Sequence, residues 1–148
     1  MNKKKFSYFL IFFMLFCPLL FSGCATLGPQ FQKVETIPEG VGLVYIYRPD
    51  SFFGAGVAYD VKVGDTVVTE LPNGGYFSYF SQPGEVEFWA KTESKSAVTL
   101  DVKANQIYYI KGTIGVGFFV GRPHLMIVTP EVGEKEISEC KSIIPRKE

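Results

Sequence analysis

The sequence predicts an all-β fold, an antiparallel sandwich or barrel of about seven or eight short strands, followed by a short helix. From residue 41 onward, apolar and polar residues alternate with the period of two that places them on opposite faces of a strand. Turn signals rich in Gly, Pro, Asn and Asp separate these runs, and no segment before residue 129 has a convincing helical period. Hydrophobic residues make up 47% and charged residues 20% of the 148-residue chain, so we expect one folded domain.

The chain begins with a leader, residues 1–23, that has the three parts of a cleaved signal peptide. Residues 1–5 are basic, residues 6–21 are almost wholly apolar, and two small residues stand directly before Cys24. A transmembrane helix is the competing interpretation, but Pro18 interrupts an apolar run that is near the lower length limit for spanning. No charge in the segment that follows Cys24 marks a stop-transfer boundary, so we expect cleavage.

The segment from Leu20 to Cys24 resembles the lipobox of bacterial lipoproteins, with Phe21 where leucine is commonest. The resemblance implies that a diacylglyceryl group is attached to the Cys24 thiol and that the leader is cut before this residue. The lipid would then anchor the mature protein to a membrane of the cell envelope. Ala25 stands where enteric-type sorting uses aspartate to retain a lipoprotein in the inner membrane, which favours the outer membrane and its periplasmic face. A soluble secreted protein with a chance cysteine is the alternative.

Loss of the leader changes both the charge and the cysteine count of the mature chain. Three lysines leave with it and no acid does, so the formal charge falls from 0 to about −3. A net-negative chain is a poor ligand for nucleic acid, because Lys and Arg contacts to phosphate supply most of that affinity. With Cys17 removed and Cys24 lipidated, Cys140 has no partner for an internal disulfide and is expected to be a small buried residue. An intermolecular bridge is the alternative.

Residues 24–40 are predicted to be a lipidated N-terminus and tether. The segment has mixed charge, Pro29 and Pro38, and no sustained periodicity. A flexible chain of this length would span roughly 20–25 Å, enough to lift a domain just clear of the lipid headgroups.

The sandwich domain is predicted to occupy residues 41–148, beginning with a strand at 43–47. The next two strands form a hairpin whose register is open between two choices. A two-residue loop pairs Val63 with Thr66, whereas a three-residue loop pairs Val63 with Val67 and places the apolar residues of both strands on one face. We favour the three-residue loop, because burial of one face selects the register.

The remaining strands are separated by turns such as Gln82-Pro83-Gly84 and lead to a helix start near Thr129-Pro130-Glu131. Ile137, Cys140 and Ile144 then fall at helical spacing, although Gly133 weakens the prediction. The predicted strands are residues 76–81, 86–90, 98–102, 107–110 and 125–128.

Several motifs occur together in an order and spacing that resembles a family of small bacterial lipoproteins with a domain of unknown function. That domain is itself similar to PEGA-type β-sandwich modules, and the resemblance covers roughly residues 41–143. It implies an Ig-like or prealbumin-like sandwich in the cell envelope and no activity that can be assigned to any residue. The motifs are Val44–Pro49, Glu70–Phe77, Pro83–Glu85, Ile107–Ile110 and Glu136–Lys141.

Residue patterns that would carry catalysis or cofactor binding are not found in the sequence. His124 is the single histidine and no Gly-x-Ser-x-Gly elbow is present, so we expect no catalytic residues and no enzyme activity. The glycines at 115, 117 and 121 have the wrong spacing for a dinucleotide fingerprint, and no carboxylate cluster has metal-ligand spacing. We therefore expect no cofactor and no metal.

A contact patch is the remaining candidate site, formed by Trp89, Phe118 and Phe119. Alternation points Trp89 outward with Glu87 and Lys91, where the C-terminal helix or a loop is expected to cover it unless it binds a ligand. The sequence thus favours a lipid-anchored, non-catalytic envelope module for protein interaction or envelope assembly. The alternative is a module that binds glycan or peptidoglycan through exposed aromatic rings.

Overall fold

The computed structural model describes residues 26–144, and the predicted signal peptide and Cys24 lie outside them. Two sheets pack face to face, which confirms the all-β sandwich. The described part of the chain forms ten strands and one helix: β1 (Thr26–Gln30), β2 (Gly42–Tyr47), β3 (Tyr59–Val63), β4 (Thr66–Leu71), β5 (Gly75–Ser81), β6 (Gly84–Lys91), β7 (Lys95–Val102), β8 (Ile107–Gly115), β9 (Arg122–Val128), α1 (Pro130–Ile137) and β10 (Lys141–Ile144).

The larger sheet has six strands in the order β1-β10-β5-β2-β8-β9, and the smaller has four in the order β4-β3-β6-β7. Most neighbours are antiparallel as expected, but β2 and β8 are parallel, as are β10 and β5. The strand count exceeds the prediction because β1 and β10 form where a tether and the end of a helix were expected. Within residues 26–144, no helix is long and apolar enough to cross a membrane.

From Thr26 onward, the N-terminal segment is not the free tether that its composition suggested. Strand β1 pairs antiparallel with β10, and the Phe31 N–H donates a hydrogen bond to the Cys140 carbonyl at 2.9 Å. Phe31, Val34 and Ile37 pack on the larger sheet. These three apolar side chains are separated by charged and polar residues, so they form no obvious pattern in the sequence. Their burial holds the segment against the sheet.

The larger sheet is buried on both faces, so the domain has two apolar cores. One core lies between the sheets and includes Val44, Ile46 and Phe88. The other lies under α1 and the N-terminal segment: Leu43, Tyr45, Tyr47, Tyr76, Tyr109, Ile137 and Cys140. Side chains of β2 alternate between the two cores, which is why every residue of this strand is buried.

Helix α1 confirms the predicted short C-terminal helix, and Gly133 has a packing role in it. A Cβ at this position would overlap the ring of Tyr109. The helix ends at Ile137, and Ile144 lies in strand β10 rather than on the same helical face.

The β3–β4 hairpin combines both of the registers that the sequence allowed. Near the turn Val63 pairs with Thr66, as a two-residue loop requires, so the favoured three-residue loop is wrong. A β-bulge then shifts the register, and Val61 pairs with Thr69 and Tyr59 with Leu71, as the favoured register predicted. The bulge leaves Val67 exposed and turns Val68 toward the core.

The two ends of the sandwich differ in what they carry. Strand β8 is parallel to β2, β2 is antiparallel to β5, and β10 is parallel to β5, so β1, antiparallel to β10, runs in the same direction as β8. The chain therefore enters β1 from one end, here called the base. The opposite end, where β8 finishes, is called the tip; it carries the β2–β3 connection, the β6–β7 turn and the β8–β9 loop.

Candidate functional site

The tip carries six exposed apolar side chains, here called the apolar tip. Phe118 and Phe119 in the β8–β9 loop are 84% and 86% exposed. In the β2–β3 connection, Phe52 is fully exposed and Phe53 is half exposed. Exposed apolar groups that cluster in this way mark contact sites rather than ordinary surface. The apolar tip consists of Phe52, Phe53, Val116, Phe118, Phe119 and Val120.

The β8–β9 loop is held in one conformation by the β6–β7 turn. The Glu93 carboxylate accepts hydrogen bonds from the backbone N–H groups of Phe118 and Val120, each at 2.7 Å, and from that of Phe119. The Thr92 hydroxyl donates to the Gly121 carbonyl at 2.6 Å. Gly121 has a φ of +93°, which glycine adopts without strain.

The ionisation of Glu93 follows from these contacts. The hydrogen bonds from the backbone of Val120, Phe118 and Phe119 lower the pKa of this carboxyl to about 2. The carboxylate is therefore charged at any physiological pH, and it accepts hydrogen bonds from the loop backbone.

Ile114, near the end of β8, joins the two loops of the apolar tip. A Cβ placed on Gly54 would lie 2.9 Å from Ile114 Cγ2, and one placed on Gly121 would lie 2.7 Å from it. Both loops therefore pack closely on one side chain. Within the β8–β9 loop, the rings of Phe118 and Phe119 make an edge-to-face contact with centroids 4.6 Å apart.

A pocket of about 210 Å³ lies at the foot of the apolar tip. Phe53 and Ile114, which belong to or support the tip, also line it. Ser51, Thr113 and two cationic residues are the polar residues of its wall. The lining residues are Arg48, Pro49, Ser51, Phe53, Lys111, Gly112, Thr113 and Ile114.

Arg48 is the most deeply buried charge of the pocket, with 2% of its surface exposed. Its guanidinium donates to the carbonyls of Val57 at 2.5 Å and Gly54 at 2.7 Å, and it lies 5.8 Å from the centre of the Tyr59 ring. Burial lowers the pKa of the guanidinium. In the described part of the chain Arg48 makes no salt bridge.

Lys111, the second cation, has a carboxylate partner. Its ammonium contacts Glu136 at 2.7 Å, and the Tyr47 hydroxyl donates to the same carboxylate at 2.7 Å. Burial opposes ionisation of Glu136, but the hydrogen bonds from Lys111 and Tyr47 outweigh it and hold the pKa of this carboxyl below its usual value. This ion pair ties α1 to β8.

Trp89 points outward, as its alternation predicts, on the outer face of the four-stranded sheet. The prediction that the helix covers it is wrong, because α1 packs on the other sheet. The indole N–H donates to the Gly64 carbonyl at 2.9 Å, and the ammonium groups of Lys62 and Lys95 lie 5.2 and 5.1 Å from the ring centre. Across residues 26–144, no ring contact joins Trp89 to Phe118 or Phe119, and the neighbours of the indole are Gly64, Lys62 and Lys95 on the sheet face.

The other residues that carry reactive groups are dispersed. His124 is exposed on β9, and Cys140 is buried, with burial raising the pKa of its thiol to about 12. Among the residues that the structure describes, no three His, Cys, Asp or Glu side chains are grouped to hold a metal ion.

The sequence indicated Phe118 and Phe119 as contact residues, but it did not indicate Phe52, Phe53 or Glu93. Two adjacent phenylalanines in a turn-rich connection are a signal that could have indicated the second loop. Glu93 carries no such signal, because its role depends on a loop 25 residues away.

Comparison with known proteins gives one family match. The model of DUF2846, described as a protein of unknown function, matches residues 38–122, more than half of the chain. The matched range includes both loops of the apolar tip and every residue of the pocket wall. No curated protein and no solved structure matches the chain.

Proposed function

This chain belongs to the DUF2846 family, and we propose that it is a lipid-anchored, non-catalytic lipoprotein of the cell envelope that docks a partner protein through its apolar tip. The proposal includes lipidation at Cys24, an outer-membrane location on the periplasmic side, and the finer relationship to PEGA-type modules. The lipobox supports lipidation, Ala25 supports the outer-membrane location, and the order of the sequence motifs supports the relationship to PEGA-type modules.

One observation carries the docking role: the Phe118–Phe119 pair is exposed and yet held in place. Complete burial of a phenylalanine side chain contributes about 1.5–3 kcal/mol, and this contribution is almost wholly unused in the free domain. The hydrogen bonds to Glu93 order the loop before any partner arrives, so little conformational entropy is lost on binding. A pre-ordered apolar loop is therefore suited to tight contact with an apolar surface.

The direction of the strands supports a protein partner rather than the lipid of the anchoring membrane. Cys24 precedes Thr26 by two residues, which span at most about 7 Å. Strand β1 runs toward the tip, and its first residue, Thr26, is level with the middle of β8, so about six residues of β8, roughly 20 Å, separate that level from the tip. End-on insertion of the tip into the same bilayer would need far more free chain than this.

Photo-crosslinking in cells that lipidate the protein tests the docking role. p-Benzoylphenylalanine replaces Phe119 in the full chain, and the matched control replaces Phe80, which is 43% exposed on β5 near the base. We expect a discrete protein adduct from position 119 that is absent from position 80 and is lost when Phe118→Ser is added. Lipid adducts from position 119, or equal adducts from both positions, would contradict the proposal.

Glycan binding through Trp89 is the second candidate. The half-buried ring is accessible from solvent, but its N–H is bonded to Gly64 and two ammonium groups lie over it. Co-sedimentation with peptidoglycan sacculi separates the two candidates. If the wild type sediments and Trp89→Ala does not, glycan binding replaces protein docking as the better-supported function.

A further inference from the structure

The pocket at the foot of the apolar tip has an unusual charge balance. Two cations line it, and one carboxylate, that of Glu136, pairs with Lys111. A buried charge is costly unless an opposite charge or several hydrogen bonds compensate it. Within residues 26–144, Arg48 is bonded to two carbonyl oxygens and lies near an aromatic ring, and no carboxylate of these residues contacts it.

Asp50 is the acid that comes nearest to this role, and its hydrogen bonds are made elsewhere. It attracts Arg48 at longer range, but its carboxylate accepts a hydrogen bond from the Asn73 side chain. Tyr59, the other titratable group that faces Arg48, is a neutral phenol whose pKa burial raises above its usual value. The guanidinium has five N–H groups, of which two are hydrogen-bonded within residues 26–144.

We propose that the pocket receives a carboxylate of the partner protein, at the end of an apolar segment that lies across the tip. This inference rests on the proposed function and specifies the chemistry of the partner. Arg48 is 2% exposed in the free domain, so the pocket wall would open for the carboxylate to reach the N–H groups that are not bonded within residues 26–144. A guanidinium binds a carboxylate through parallel N–H bonds, and this interaction is strong where water is excluded.

The size and the walls of the pocket fit such a group. A cavity of 150 Å³ holds a benzene molecule, so about 210 Å³ accommodates a carboxylate with a few carbon atoms. Phe53 and Ile114 would contact these carbons, and Ser51 and Thr113 line the same pocket. Because Phe53 belongs both to the pocket and to the apolar tip, one continuous ligand segment can occupy both.

A titration with matched peptides tests the inference on the full-length lipoprotein purified in detergent, with detergent alone as the blank. The probes are acetyl-Leu-Phe with a free carboxylate, the same peptide as its amide, and benzoate. We expect the acid to bind at least 10-fold more tightly than the amide, because a hydrogen bond to a charged group is stronger than one to a neutral group. We also expect backbone NMR signals of residues 111–114 to shift on binding.

Variants locate the binding. Arg48→Gln should remove the difference between acid and amide. If that variant does not fold, Phe53→Ala, at a half-exposed position, should weaken binding of the acid at least 3-fold, whereas Phe80→Ala should not change it. Equal affinity for acid and amide would overturn the inference, as would tighter binding of benzoate, which would indicate a site for small acids.

The outcomes also separate this inference from the proposed function. If position 119 gives no protein crosslink but the peptide acid still binds more tightly than the amide, docking at the apolar tip is refuted. A retained crosslink with no preference for the acid would refute the carboxylate site alone.

Discussion

Removal of the two tip phenylalanines should abolish partner binding and leave the domain folded. The change is Phe118→Ser combined with Phe119→Ser. Folding hides only about 15% of each side chain, and full burial of a phenylalanine contributes about 1.5–3 kcal/mol. Each substitution therefore costs about 0.2–0.5 kcal/mol, and loss of the ring contact adds roughly 0.5 kcal/mol. The free energy of unfolding should fall by about 1 kcal/mol, which lowers Tm by about 4 °C.

The effect on binding should be much larger. Truncation of an aromatic side chain at the centre of an interface reduces the binding free energy by about 2 kcal/mol or more, which raises Kd at least about 30-fold. Urea unfolding followed by the fluorescence of Trp89, the single tryptophan, measures stability. The yield of a crosslink from p-benzoylphenylalanine at Phe52 measures docking in the same variant.

Two controls bracket this prediction. Phe88 is fully buried between the sheets, so Phe88→Ala should cost about 3–5 kcal/mol. Phe80→Ser, near the base, should leave the crosslink unchanged. A loss of more than about 2 kcal/mol of stability in the tip variant would refute the reasoning, because the phenylalanines would then be part of the folded core. Unchanged crosslinking in a stable tip variant would refute docking at the tip.

Three further predictions concern the anchor, the second core and the β8–β9 loop. Cys24→Ser should leave the sandwich folded but abolish metabolic labelling with palmitate and leave unprocessed precursor; a processed variant that fractionates with membranes as the wild type does would refute the lipoprotein assignment. Ile137→Ala should cost about 2–5 kcal/mol because Ile137 is fully buried, whereas Ile144→Ala, at a residue 48% exposed, should cost under about 1.5 kcal/mol; equal losses in urea unfolding would contradict the assignment of Ile144 to β10. The low pKa of Glu93 adds stability to the loop above the usual carboxyl pKa of 4.5, and this contribution is lost as the pH falls through about 2. The amide NMR signals of residues 118–120 should therefore titrate near pH 2, and Glu93→Gln should speed their hydrogen exchange at neutral pH; a midpoint near 4.5 would show that the three hydrogen bonds do not form.

Local chemistry made much of the fold predictable. Alternation in segments such as 84–91 depends on the two-residue period of a strand, which any antiparallel sandwich preserves. Thr129 and Pro130 mark the start of α1 for an equally local reason. The N–H of the first helical residue has no partner within the helix, so proline, which lacks an N–H, is well tolerated there. The hairpin between β3 and β4 shows the limit, because a bulge lets two registers coexist and only packing against β6 selects where it lies.

The sequence did not show which distant segments pair with each other as strands. Strands β1 and β10 are about 115 residues apart, and neither has alternation strong enough to predict a strand. Strand β10 forms because the edge of β5 and β1 supply its hydrogen bonds, and β1 forms because β10 supplies its hydrogen bonds. Parallel pairing of β2 with β8 has the same origin, because burial of β2 on both faces requires a neighbour that is apolar on both faces, as β8 is.

Some residues of the candidate site were indicated by the sequence, and others were found only in the structure. The sequence by itself indicated that Phe118 and Phe119 lie in a glycine-rich strand or strand connection, and predicted a leader that ends at a cysteine suited to lipidation. Only the tertiary structure decided that Glu93 holds that loop, that Phe52 and Phe53 join it, that Arg48 is buried beneath them, and that two ammonium groups lie over Trp89. The physical reason is that exposure and turn propensity are properties of a few neighbouring residues, whereas the meeting of three loops at one end depends on how two sheets stack.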